Sequence, residues 1–180
     1  MKEYLNIVDD NDVVIGIKER EEIHRFGLLH REIHVYFVTP NRELILQHRA
    51  KDKDTYPDMF DATVGGHVEI GDSYLETAVK ETLEETGLKV EADDLILINK
   101  LRRRAEDKAT GKINDVIGES YLYFFKGNIS DLKVEKDKAL GFELWPLDSL
   151  PDIDAPGSER FIPYVLNFAN NELKKAVDSL

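Results

Sequence analysis

The chain has 180 residues, 42% apolar and 33% charged, and no cysteine, which suits a soluble globular protein and excludes disulfides, zinc–thiolate sites and thiol catalysis. The balance of 24 Lys and Arg against 36 Asp and Glu gives −12, a charge that repels nucleic-acid polymers, and the apolar runs are too short for a membrane span. A phosphate-bearing ligand would therefore need a local basic patch or a divalent cation held by the chain's own carboxylates.

The opening Met1-Lys2-Glu3-Tyr4 lacks the basic and apolar blocks of a signal peptide, so a cytoplasmic protein is expected. Residues 5–8 and 13–17 read as short strands around Asp9-Asp10-Asn11-Asp12, a run of turn formers. Residues 33–38 and 43–47 are the next strands, joined through Pro40-Asn41-Arg42. Val64-Gly65-Gly66-His67-Val68 is a strand running into a glycine-rich loop. A helix is expected over 73–86, then strands over 95–104 and 120–126 with a charged loop over 105–114 between them. A last strand at 142–145 is closed by Pro146 and Pro151, and a terminal helix covers 158–177 with Pro163 in its first turns. Mostly strands with one central and one terminal helix, and no repeat or linker, predict one α+β domain over residues 1–180.

Residues 65–88 carry the chemistry. Ser73-Tyr74-Leu75-Glu76 fits a capping box, and Gly87 is a natural left-handed stop. Leu75, Ala78, Val79, Thr82 and Thr86 recur at helical spacing and are expected to face the core. Glu81, Glu84 and Glu85 stand at i, i+3 and i+4 and share another face. Carboxylates that close repel one another unless their pKa values rise or a cation sits among them. Hard oxygen ligands of this kind suit Mg²⁺ or Mn²⁺. For an isolated E-x-x-E-E, a solvated acidic face with Lys80 paired to Glu84 is the simpler reading. The preceding Gly65-Gly66, where the backbone can turn sharply and present carbonyls, makes the combination more specific.

Residues 66–88 resemble the Nudix box, G-x5-E-x7-R-E-U-x-E-E-x-G-U, where U is a bulky aliphatic residue. Gly66, Glu81, Glu84, Glu85, Gly87 and Leu88 match at full spacing. Asp72 stands in place of Glu, Lys80 in place of Arg and Thr82 in place of the aliphatic residue. The resemblance implies a Nudix fold over most of residues 4–150: a mixed β-sheet sandwiched between helices, with an N-terminal hairpin and a C-terminal helix. It also implies a divalent-metal-dependent hydrolase that cleaves a diphosphate linkage in a nucleoside diphosphate derivative or a related small molecule. On that resemblance Glu81, Glu84, Glu85 and the Gly66 carbonyl would bind Mg²⁺ or Mn²⁺, and Glu81 and Glu85 would be catalytic. Lys80 would stand for the Arg that orients a catalytic Glu, with its charge kept and its planar fork lost. The base would be a box Glu or a carboxylate from a later loop or strand. Glu119 is the candidate for the latter, against its reading as an exposed strand-edge residue. Oligomeric state stays open, a homodimer included.

Other segments resemble isopentenyl-diphosphate isomerase, a relative of the same fold. They are Leu29-His30, Gln47-His48-Arg49-Ala50-Lys51 and Val64-Gly65-Gly66-His67. That enzyme holds a metal with three His and two Glu. The resemblance implies a second metal site of His24, His30, His67 and Glu119, with Ile117 in the place of the other Glu. Each histidine also reads as a surface or hydrogen-bonded core residue, as do His34 and His48. Gly65 stands where the isomerase has its catalytic Cys, so hydrolysis is the leading reading. An isomerase-like enzyme and a catalytically weak binding module, suggested by Asp72, Lys80 and Thr82, are the alternatives. Arg49, Lys51 and Lys53 precede Pro57-Asp58-Met59-Phe60, and Arg49 and Lys53 are candidates for substrate binding. Strand alternation turns Arg103 away from Arg102 and Arg104, so the three cannot serve one site. Trp145 and Phe60 read as core residues, or as a platform for a base or prenyl group.

Overall fold

The computed structural model describes residues 2–53, 55–108, 110–135 and 138–180. In chain order come β1 (Tyr4–Val8), β2 (Val14–Glu19), α1 (Arg20–Phe26), β3 (His30–Val38), β4 (Glu43–Arg49), β5 (Phe60–Asp61), β6 (Val64–His67) and α2 (Tyr74–Thr86). Then follow β7 (Ile96–Glu106), β8 (Ile113–Phe124), β9 (Ala139–Pro146), α3 (Pro163–Phe168), a π-helical turn (Ala169–Leu173) and α4 (Lys174–Ser179).

Both faces of β3 are covered, and that organises the molecule. Ile33, Val35 and Phe37 join Ile117, Tyr121 and Val64 in a core beneath Tyr74 and Ala78 of α2. The alternate residues Tyr36 and Val38 join Leu44, Leu46 and Leu122 in a second core beneath Val165, Leu166 and Phe168. The result is a mixed α+β sandwich, the architecture that the resemblance implied.

β3 runs parallel to β8, from His30 beside Val116 to Val38 beside Phe124. On its other edge it pairs antiparallel with β6 over Glu32–Val35, then with β4 only at Phe37 and Val38. β4 turns away to pair with β5 and β9. After a single pairing with β1 at His30, this edge thus has two successive partners that diverge. Thr63 closes the apex, its hydroxyl donating to the Ile45 carbonyl and accepting from the Phe37 N–H at 2.9 Å. Below that apex a cleft opens between β6 and β4.

The local signals around α2 hold. Ser73 is the N-cap, with the reciprocal Ser73–Glu76 capping box formed, and Gly87 is left-handed at φ 68°. The buried stripe is Tyr74, Thr77, Ala78, Thr82, Glu85 and Thr86, with Leu75 and Val79 half-buried, so a carboxylate lies on the covered side.

Elsewhere the boundaries move. α1 has seven residues and was not anticipated, because two turns are too short for a helical period to show. β7 and β8 are longer than expected, and the loop shrinks to 107–112, with residue 109 outside the described residues. The extension is held by Asp115, which accepts from Arg102 Nε (3.0 Å) and Arg104 Nη1 (2.9 Å). The terminal helix starts at Pro163, which has no N–H to lose in a first turn. Phe161 and Ile162 are buried and extended instead, the Ile162 N–H donating to the Phe60 carbonyl at 3.0 Å.

Candidate active site and metal positions

The cleft between β6 and β4 opens into a cavity of about 390 Å³. Glu85 enters it from the last turn of α2. The residue is 6% exposed, and its carboxylate accepts from the Gly65 N–H and from Gln47 Nε2, both at 3.2 Å. Glu81, one turn earlier, lies flat against Gly66: a Cβ built there would stand 2.6 Å from its carboxyl carbon. Gly66 is therefore required for this approach, whatever its backbone angles. Glu84 is exposed on the helix surface.

Burial pushes the Glu81 carboxyl up to about 7. Burial, reinforced by Glu81, pushes Glu85 up to about 8. Near neutral pH the pair therefore holds protons unless a cation replaces them. Hard oxygens, a desolvated acid pair and a glycine whose Cβ would fill the cradle together fit a small divalent cation. Gly66→Ala should weaken Mn²⁺ binding by on the order of 10–100-fold, as a loss of ligand orientation does. Circular dichroism should be unchanged, and equal Mn²⁺ affinity in a calorimetric titration would show that Glu81 does not depend on this approach.

Lys80 does not meet Glu84. Its ammonium binds the Glu69 carboxylate, and Glu69 lines the cavity. That partner was missed because it stands at a variable position of the box, which the pattern leaves unspecified.

His24, His30 and His67 come from α1, β3 and β6, and their ring centroids are mutually 5.1 Å apart. Their ligand atoms lie within 4.8 Å of one another. His30 Nδ1–H donates to the Leu28 carbonyl at 2.9 Å, which leaves its Nε2 bare. That Nε2 and the Nε2 of His24 are buried without a partner. Burial lowers the pKa of all three, His24 to about 4. Three neutral imidazoles, two of them with a buried unpartnered nitrogen, fit a metal ion.

Glu119 is not brought to these histidines. Alternation along β8 puts it on the α2 side of the sheet, 3.3 Å from the Lys100 ammonium and bonded to the Tyr121 hydroxyl. Ile117 shares that face and is buried in the core under α2. On the histidine side β8 brings Asn114 to the cavity, and its amide donates to Glu32 at 2.7 Å. Glu32 lies opposite His67 in the β3–β6 register. It is the carboxylate among the described residues that a one-strand reading of β8 could not reveal.

Behind Glu32 lies a buried polar network. Arg103 donates to Glu32 Oε1 at 2.8 Å and to His34 Nδ1 at 3.1 Å. His34 Nε2 is therefore the protonated nitrogen, facing Glu32 and the Tyr164 hydroxyl, which donates to Asp61 at 3.3 Å. The Arg103 charge, with His34, holds Glu32 well below the usual carboxylate range despite its burial. His34 is thus a cavity-wall residue and not a surface one. Arg103 points away from Arg102 and Arg104, which serve Asp115 on the other face. Arg49 and Lys53 both line the cavity, and Arg49 also ties it to the neighbouring loop through Asp61 (2.8 Å) and the carbonyls of Thr55 and Tyr56. Phe60 and Trp145 pack in the hydrophobic core, away from this cavity, under the Arg160 guanidinium.

The chain matches the NUDIX domain family over residues 28–165. It is 32% identical over 170 residues to an uncharacterized Nudix hydrolase of Clostridium acetobutylicum, covering 89% of this chain and 81% of that one. It is 36% identical over 83 residues to an isopentenyl-diphosphate Delta-isomerase of Pectobacterium atrosepticum, an alignment covering 46% of each. The crystal structure of a MutT protein from Methanosarcina mazei superposes with a TM-score of 0.64 at 15% identity, over 82% of this chain and 95% of that one. With a box-bearing α2 beside a divided sheet, the chain belongs to the Nudix family. None of its helices among the described residues is long and apolar enough to cross a membrane.

Proposed function

We propose that the chain is a cytoplasmic diphosphohydrolase, acting as one domain over residues 1–180 with Mg²⁺ or Mn²⁺ on a small-molecule diphosphate such as a nucleoside diphosphate derivative. The observation that carries this reading is the desolvated Glu81–Glu85 pair set against the Gly65–Gly66 backbone. A divalent ion bound there would neutralise the diphosphate and activate a water. Glu81 and Glu85 hold the ion with the Gly66 carbonyl, and Glu84 joins them from the helix surface. Lys80 positions Glu69 at the rim. The base is one of the box glutamates or Glu135, a later-loop carboxylate whose charge acts on Glu81. Arg49 and Lys53, which line the same cavity, bind the substrate's phosphates. His24, His30 and His67 hold a second metal, with Glu32 as their nearby carboxylate in place of Glu119.

Isomerase chemistry is the second reading, favoured by the bare histidine nitrogens. Against it, the space beside Gly65 is occupied: a Cβ there would already meet His34 Cδ2 at 3.2 Å. Nucleotide sugars, dinucleotides, dNTPs, ADP-ribose and prenyl diphosphates, each incubated with Mg²⁺, separate the two. Release of phosphate or a nucleoside monophosphate from one of them is expected. Conversion of isopentenyl to dimethylallyl diphosphate, with no hydrolysis anywhere in the panel, would overturn the proposal.

A further inference from the structure

Lys138, just before β9, brings a cation to the cavity of the box carboxylates. The Lys133 N–H donates to the Thr86 carbonyl at 2.8 Å, and the Lys133 side chain lies over Gly87, where a Cβ would meet its Cδ at 3.0 Å. The Ala50 N–H donates to the Lys138 carbonyl at 3.3 Å. Lys133 is thus tied to the end of α2 and Lys138 to the end of β4, and Lys138 lines the cavity together with Glu81, Glu85 and Gly66. The Lys138 ammonium lies 2.7 Å from Glu135, and its side chain is half-buried. Its charge acts on both Glu81 and Glu85, opposing the effect of burial on each. Arg49 and Arg103 are paired with Asp61 and Glu32, both more deeply buried than Glu135, the partner of Lys138.

We propose that Lys138, held by Glu135, is the cation resident in the cavity beside Glu81 and Glu85, that a divalent cation bound there drives it away, and that the displaced ammonium then binds the diphosphate of the substrate. A univalent ammonium and a divalent ion both gain from the same carboxylates and repel each other. Lysine suits such an exchange, because its point charge rides on a flexible four-carbon stem with three rotatable donors. Once the metal is in place, the nearest added anion is the ligand's phosphate, which lysine binds as a point charge. The competition with metal stands on the cavity geometry alone, and the phosphate contact rests on the diphosphohydrolase reading.

Two titrations of the full chain test this. Mn²⁺ is titrated calorimetrically into metal-free parent, Lys138→Met and Lys138→Arg. The Met variant should bind Mn²⁺ about tenfold more tightly than the parent, and the Arg variant should match the parent. Methylenediphosphonate, which cannot be hydrolysed at its bridge, is then titrated into the Mn²⁺-loaded proteins. It should bind Lys138→Met about tenfold more weakly and Lys138→Arg nearly as well as the parent. Equal or weaker Mn²⁺ binding by a folded Lys138→Met, or no Mn²⁺ binding by any of the three, overturns the competition. Unchanged diphosphonate affinity overturns the phosphate contact. Neither readout requires turnover, so failure of the hydrolase reading shows separately, in the substrate panel.

Discussion

Glu85→Gln should lower diphosphate turnover by roughly a hundredfold or more and weaken Mn²⁺ binding at least about tenfold, since a charged ligand is lost at the centre of the cavity. The same change should stabilise the metal-free chain at alkaline pH. Burial raises the folded pKa of Glu85 from 4.5 to about 8. The folded state therefore holds a proton that the unfolded state has released, and stability from this group is full below pH 4.5 and lost as pH rises through about 8. Glutamine cannot ionise, and its amide oxygen can still accept from Gly65. Thermal unfolding in chelator between pH 5 and 9 should show the parent losing stability toward pH 9 and the variant losing less. Saturating Mg²⁺ should flatten the parent's curve, because the cation stabilises the charged pair. Glu84→Gln is the internal contrast: its side chain is exposed, so its effect on unfolding should be small. Identical alkaline behaviour of parent and Glu85→Gln would refute the raised pKa.

Arg103→Met should be the most destabilising single change near the cavity. It leaves Glu32 charged, 7% exposed and without its cation. Breaking a buried pair from one side costs about 3–5 kcal/mol. For a chain of this length that corresponds to a melting point lower by roughly 6–20 °C. Adding Glu32→Gln should recover much of the loss, because a neutral amide no longer needs the guanidinium and can still bond Asn114 and His34. Calorimetric unfolding of the single and double variants decides it. A single variant within about 1 kcal/mol of the parent, or a double variant no better than the single, would show that the pair is not coupled across the cavity wall.

The features legible in the sequence are local ones. The limits of α2 follow from Ser73 and Glu76 at one end and Gly87 at the other, each acting within a single turn. The opposite facing of Arg103 and its neighbours follows from the pleat of one strand. Family membership followed from the fixed spacing of residues 66–88 and was confirmed by the match over residues 28–165. Helical spacing also put Glu81, Glu84 and Glu85 close together, but it could not say which would be covered. That depends on where α2 lies against the cleft between β6 and β4, and the covering strands come from elsewhere in the chain.

The tertiary structure alone decided the strand register and what it carries to the cavity. β3 and β8 are parallel partners separated by more than seventy residues, and a shift of one residue in β8 would exchange Asn114 and Glu119 between faces. No pattern within β8 contains that information. Glu32, Tyr164 and Lys138 reach the cavity from β3, α3 and the approach to β9 because β4 leaves β3 and opens a space that all three can enter. Local propensity and spacing set the single elements. Long-range pairing, driven by burying both faces of β3, determined which of their charged side chains would meet out of water.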